Sequence, residues 1–162
     1  MKVKDIMSHP PCSCSLNTNV SDAGALMQKH HCGVLPVLSL HGVLVGMVTD
    51  RDLCLATAAR RRSATAVAVH EAMTTRLVTC RPDDDVKDAL ESMATSGVRR
   101  LPVVDDRGRL AGLLSIDDVI VAGEAQEGVT DTEIVETLRM IYKRRVLRGA
   151  TQLDRLTSST EQ

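Results

Sequence analysis

A hydroxyl and a carboxylate three residues apart occur twice in this chain, each time behind a glycine and two apolar residues. The first copy reads Gly46-Met47-Val48-Thr49-Asp50-Arg51-Asp52; the second, 66 residues later, reads Gly112-Leu113-Leu114-Ser115-Ile116-Asp117-Asp118. In each, an apolar run stops at Thr49 or Ser115 and helix-forming residues follow, so the pattern predicts a strand handing over to a helix. A hydroxyl at the helix N-cap accepts from the N–H three residues on, and an acid at that position bonds back to the cap. Thr49 with Asp52 and Ser115 with Asp118 therefore read as two capping boxes, which need no ligand. The same helix starts also present free N–H groups and a partial positive charge, which suits a phosphate. The four side chains can thus serve a nucleotide as well as a helix end.

Other chemistry-bearing residues read more simply. Cys12 and Cys14 share one face of a predicted strand, and His30, His31 and Cys32 close the helix after it, a set that thiolate and imidazole metal sites use. The internal repeat argues against metal, because Cys12 aligns with Val78 and Cys32 with Val98; these positions want small apolar groups, and thiols fill them as small hydrophobes. No nucleophile has a base at recognisable spacing, and Asp50-Arg51-Asp52 and Asp83-Asp84-Asp85 fit helix N-termini, so no catalytic set is assigned and the chain reads as a non-enzyme. The basic run Lys143, Arg144, Arg145 and Arg148 reads as a solvated face near a helix C-terminus.

The elements that must position these groups come from a duplication. Shifted by 66, Val3 to Ala56 align with Val69 to Ala122 without a gap, and 15 of 54 pairs are identical, far more than chance. Each copy reads as a helical turn ending at Met7 or Met73, an extended segment (Cys12 to Ser15; Leu77 to Arg81), a helix, a two-stranded hairpin and a second helix. The first helices start at Asn19 and Asp85; Val86, Ala89, Leu90 and Met93 make the apolar stripe of one, Val20, Ala23 and Met27 that of the other, with Gly24 an unfavourable interior residue. The strand pairs are Val34 to Ser39 with Val43 to Val48 and Arg100 to Val104 with Leu110 to Leu114, turning at Gly42 and Gly108. The expected organisation is repeat 1 at 1–60, a linker at 61–68, repeat 2 at 69–124 and a C-terminal extension at 125–162. The extension holds an amphipathic helix, Asp131 to Leu147, with Ile134, Leu138 and Ile141 on one face and Val135, Tyr142 and Val146 beside it; Thr151 to Gln162 read as frayed.

Composition sets limits. A net charge of −1 and a single aromatic residue leave neither a basic surface nor a stacking platform for nucleic acid. No apolar run reaches the roughly 18 to 20 residues of a membrane helix, and MKVKDIMSHP does not resemble a signal peptide. Five cysteines, an odd number without a framework, fit a reducing compartment; the expected location is cytoplasmic.

With the duplication, the Leu35-Pro36-Val37 and Leu101-Pro102-Val103 strands and the doubled Gly-x-x-(Thr/Ser)-x-x-Asp motif in register, residues 1 to 124 resemble a tandem cystathionine-β-synthase (CBS) domain pair. The resemblance implies an α+β fold of two β-α-β-β-α repeats packed with pseudo-twofold symmetry, leaving two clefts, plus the C-terminal helix. It implies a regulatory module that needs no cofactor and binds AMP, ADP, ATP or S-adenosylmethionine, with Asp52 and Asp118 on the ribose hydroxyls and Thr49 and Ser115 on phosphate. Adenine would lie against backbone near Ser13 and Cys14 or Thr79 and Cys80, beside the strands of Pro36 and Pro102. Phosphate-binding members often carry a basic residue before Leu-Pro; Arg100, with Arg99 beside it, fills that position only in repeat 2, so the clefts should differ. A homodimer and an unidentified regulated protein are the implied partners. The alternative is a structural dimerisation module without a physiological nucleotide.

Overall fold

The computed structural model describes residues 1–60, 62–123 and 128–158, with the side chains of Arg60, Arg145 and residues 148–158 outside that description. The expectations for Arg61 in the linker, for the Arg145 and Arg148 side chains and for the last four residues therefore fall outside it. Repeat 1 runs β1 (Cys14–Ser15), α1 (Val20–Lys29), β2 (Val34–Leu38), β3 (Leu44–Thr49) and α2 (Asp50–Arg60). Repeat 2 runs α3 (Val86–Ser96), β4 (Arg100–Val104), β5 (Leu110–Ser115) and α4 (Ile116–Gly123), and α5 (Asp131–Ser158) follows. Mixed helices and sheets in two like repeats with a C-terminal helix are the expected α+β class.

The local sequence explains these boundaries. Asn19 caps α1 by accepting from Asp22 N at 2.9 Å, and Asp85 caps α3 by accepting from Lys87 N at 3.0 Å. Gly42 and Gly108 turn the hairpins with φ of 74° and 72°, a region that favours glycine. In sheet β1-β2-β3, β1 pairs parallel to β2 with Cys14 opposite Val37, and β2 pairs antiparallel to β3 with Val34 opposite Thr49. Repeat 2 differs: β4 and β5 form a two-stranded sheet, and the segment before α3 contributes only a parallel bridge from Cys80 to Val103. Pro82 is the reason. Its counterpart Leu16 donates its N–H to Leu38 O at 3.1 Å, and a proline has no N–H to give.

Two compact units emerge. The α2 unit comprises Ser8–Pro82 and Pro102–Gly112; its core joins Cys14, Val20, Ala23, Met27, Leu35, Val37, Val48, Leu53, Val67 and Val69. The α5 unit comprises Met1–Met7, Asp83–Leu101 and Leu113–Gln162, and buries Val3, Val86, Ala89, Leu90, Met93, Leu101, Leu114, Ile134 and Ile141. In both, an opening turn from one repeat pairs with the helix start of the other. Val3 N donates to Asp84 O at 3.0 Å and Val86 N to Met1 O at 3.1 Å; 66 residues on, Val69 N donates to Thr18 O at 2.8 Å and Val20 N to Val67 O at 2.9 Å.

The C-terminal helix is longer than the sequence suggests, continuing to Ser158 within the segment expected to fray. Its start is a third capping box: Thr130 N and Oγ1 donate to Glu133 Oε2 at 2.7 and 2.9 Å. Ile134 and Ile141 are buried as expected, and Thr137, rather than Leu138, is the more deeply buried residue between them. Lys87 on α3 bonds Glu133 at 2.8 Å. That bond, with help from Thr130, pulls the Glu133 carboxyl down to about 2.

Candidate functional site

Both motifs fold as the spacing requires. Asp52 Oδ2 accepts from Thr49 N at 2.9 Å and from Thr49 Oγ1 at 2.7 Å, while Asp52 N donates to Thr49 Oγ1 at 3.2 Å. Asp118 Oδ2 accepts from Ser115 N at 2.7 Å and Ser115 Oγ at 2.8 Å, and Asp118 N donates to Ser115 Oγ at 3.1 Å. Every bond in each box uses Oδ2. Oδ1 of both aspartates takes no hydrogen bond from the described residues, and both side chains are partly exposed. An ionised carboxylate oxygen is an acceptor only, so each box leaves one strong acceptor available.

The structure brings the repeat 1 candidates into one unit. Ser13, Cys14, Pro36, Thr49 and Asp52 all belong to the α2 unit, with Cys14 beside β2 and Thr49 opposite Val34. The repeat 2 candidates are divided: Arg99, Arg100, Ser115 and Asp118 belong to the α5 unit, whereas Thr79, Cys80 and Pro102 belong to the α2 unit. The prolines have a shared effect on the first strands. Cys80 N donates to Pro102 O at 3.1 Å and Val104 N to Cys80 O at 2.9 Å; the next bond along would need an N–H on Pro102. The parallel ladder therefore ends at Cys80, as β1 begins only at Cys14, and the backbone just before each is released from pairing with that strand.

Charge separates the two repeats. Arg100 is half-buried, and its Nη2 lies 3.8 Å from Asp117 Oδ2, a loose pair that leaves the guanidinium able to turn to another anion. Arg99 is exposed, and its carbonyl accepts from Ile116 N at 2.9 Å. In repeat 1 the equivalent backbone bond runs from Asp50 N to Gly33 O at 3.2 Å. There the Asp50 carboxylate lies against Gly33, so close that a Cβ on Gly33 would stand 3.2 Å from Asp50 Oδ2. An acid thus stands near the motif where repeat 2 has arginine.

The cysteines and histidines do not assemble as the metal reading would require: among the described residues no three potential ligands cluster. Cys12 and Cys32 instead pack, half-buried, against the core of the α2 unit. Burial, and then the Cys32 sulfur, raise the Cys12 thiol's pKa, and burial pushes Cys14 up to about 11. His31 sits at φ 50° just past the end of α1, where repeat 2 has Gly97. No helix among the described residues is long and apolar enough to cross a membrane.

The CBS domain family matches this chain at residues 3–58 and 69–124, which places both motifs, both Leu-Pro strands and both opening turns inside matched copies. The chain belongs to the CBS domain family and carries the domain in tandem. Among curated relatives, the CBS domain-containing protein YhcV of Bacillus subtilis is 40% identical over 119 residues, covering 74% of this chain and 83% of that protein. Among solved structures, the CBS domain pair of protein MJ0100, in complex with 5'-methylthioadenosine and S-adenosyl-L-methionine, superposes with a TM-score of 0.69 at 30% identity, covering 78% of this chain and 98% of that one. CBSX2 in complex with AMP superposes with a TM-score of 0.67 at 29% identity, covering 76% and 96%.

Proposed function

We propose that this chain is a non-catalytic, cytoplasmic regulatory module that binds an adenosyl ligand and passes its occupancy to a partner protein. The carrying observation is the division of labour within Asp52 and Asp118: Oδ2 closes the helix cap and Oδ1 is left to accept from a ribose hydroxyl. The ligand's adenine edge would pair with the backbone released ahead of Cys14 or Cys80, near Ser13 and Thr79, with Pro36 or Pro102 against the ring. In repeat 2, Ser115, the N-terminus of α4 and Arg100, with Arg99 beside it, form the set that suits a phosphate. In repeat 1, Thr49 lies near Asp50 instead of an arginine, which favours an adenosyl group with no phosphate or with a cationic sulfonium. Ligand complexes of the neighbouring MJ0100 and CBSX2 pairs support this class of ligand.

The regulatory step needs a ligand that binds two arrangements unequally. We propose a homodimer as the responding assembly, because Val135, Met140, Tyr142, Val146 and Leu147 leave α5 with exposed apolar surface that a second copy would cover. A thermal-shift screen of ligand-stripped protein against AMP, ADP, ATP, S-adenosylmethionine and 5'-methylthioadenosine tests the reading. A true ligand at 100 times its Kd stabilises by about 2.7 kcal/mol. The complete closure of both capping boxes by protein groups alone favours a second reading, a dimerisation module without a nucleotide, and no shift with any compound would select it.

A further inference from the structure

The two repeats treat one equivalent face differently. In the α5 unit, α5 packs on both α3 and α4. A Cβ on Gly123 would stand 3.5 Å from Ile134 Cδ1, and Lys87 bonds Glu133 at 2.8 Å. The matching face of repeat 1, between α1 and α2, is an open groove of about 300 Å³. Buried Val20, Met27 and Leu53 form its floor, and Gly24, Cys54 and Thr57 stand where repeat 2 has Leu90, Ile120 and Gly123. Nothing lies within 4 Å of a Cβ placed on Gly24, a dent at the position that Leu90 fills in α3. Among the described residues repeat 1 has no helix of its own to lay there, because the chain after α2 turns through Ala64–Ala66 into repeat 2. Ala64 aligns with Thr130, the residue from which α5 starts.

α5 also carries a second apolar stripe. Val135, Tyr142 and Val146 recur at i, i+7 and i+11 beside the buried Ile134 and Ile141, and all three are exposed, with Arg139 and Lys143 along their outer edge. Each chain thus holds one apolar groove and one apolar stripe, and two copies can cover both at once. We propose that the occupant of the α1–α2 groove is α5 of a second copy, entering by the Val135–Val146 stripe while its Ile134 face stays on its own α3 and α4. The contact specifies the homodimer proposed above, on which it rests. Charge selects the face of the helix. Asp50 stands in the groove wall, and Ser21 replaces the Lys87 that holds Glu133, so the groove suits the edge with Arg139 and Lys143 rather than the edge with Glu133. Made in both directions, the exchange gives two identical contacts and closes as a twofold dimer.

Sedimentation velocity of the full chain tests this with two variants at positions that have room for a longer side chain. Gly24→Lys puts a cation in the groove, and a double variant, Val135→Glu with Val146→Glu, puts acids on the stripe; circular dichroism like the parent's shows that each folds. The parent should sediment at twice the 17.5 kDa chain mass. Each variant alone should sediment as a monomer, its association weakened about 100-fold or more by an unpaired charge in an apolar contact. Mixing the two variants should restore the dimer, since one unaltered groove then meets one unaltered stripe and the altered pair joins lysine to glutamate. Leu40→Ser, at a residue 88% exposed in the turn between β2 and β3, should leave the dimer intact. A monomeric parent would overturn the homodimer and the exchange together. A dimer that survives the glutamates but not Gly24→Lys would mean that two grooves face each other, and one that survives Gly24→Lys but not the glutamates would mean that two α5 helices pair. Either result would overturn the exchange alone, as would failure of the mixed variants to associate.

Discussion

Replacing Asp118 by asparagine and by alanine separates its two roles. Alanine removes the acceptor for both Ser115 N and Ser115 Oγ, and Ser115 is only 9% exposed, so water replaces those bonds poorly. The expected loss of stability is about 1–2 kcal/mol. Asparagine can keep one oxygen at the Oδ2 position, so the cap survives and the loss stays under about 1 kcal/mol. Its amide nitrogen then occupies the Oδ1 position, offering a donor where a ribose hydroxyl needs an acceptor. Losing a hydrogen bond to a charged group costs about 1.5–3 kcal/mol, which is roughly 10- to 150-fold in Kd. Isothermal titration with AMP gives the affinity and urea unfolding gives the stability. Asp118→Asn should fall far in affinity and little in stability, and Asp52→Asn, in the repeat without Arg100, should change AMP binding less. If both Asn variants bind AMP and ATP within twofold of the parent while Asp118→Ala is destabilised, the aspartates only cap helices and the site assignment fails.

Three further outcomes follow from local geometry. Gly24 sits inside α1 with nothing within 4 Å of a Cβ placed on it, so Gly24→Ala should stabilise by about 0.5–1 kcal/mol in urea unfolding. His31 holds a left-handed backbone at φ 50° where repeat 2 has Gly97 at φ 68°, so His31→Gly should also stabilise, by about 1 kcal/mol; a loss would mean that its side chain contributes more than its backbone strain costs. The folded-state pKa of Glu133 is depressed from 4.5 to about 2. Its contribution is therefore present above the ordinary carboxylate range and is lost as pH falls through about 2. Urea midpoints taken at about pH 5 and about pH 3 should diverge in the parent and diverge less in Glu133→Gln.

The duplication made much of this fold legible. Identities at Pro36 and Pro102, Gly42 and Gly108, and Gly46 and Gly112 put hairpins and strand-to-helix junctions in register, and the spacing of Thr49 with Asp52 and Ser115 with Asp118 defined both caps before any coordinate. What alignment does not encode is which copy a segment packs on: Val3 aligns with Val69, and nothing in that match says that Val3 pairs with Asp84 and Val69 with Thr18. Pro82 carried a readable signal for the weak first strand of repeat 2, a missing N–H, visible once its counterpart Leu16 is seen to donate. Thr130-x-x-Glu133 was equally readable as the start of α5. Its far end was not, because polar residues after Thr151 are compatible with either helix or frayed chain. The free Oδ1 atoms could not be read from residue types, since either carboxylate oxygen can close a cap.

The central claim is that the two motifs bind an adenosyl ligand without turning it over. Titration calorimetry on folded, ligand-stripped parent protein with AMP, ADP, ATP, S-adenosylmethionine and 5'-methylthioadenosine, followed by chromatography of the recovered compounds, tests it directly. Saturable binding of at least one of them, recovered intact, is the predicted result; absence of binding heat with all five, or recovery of a converted product, would contradict it.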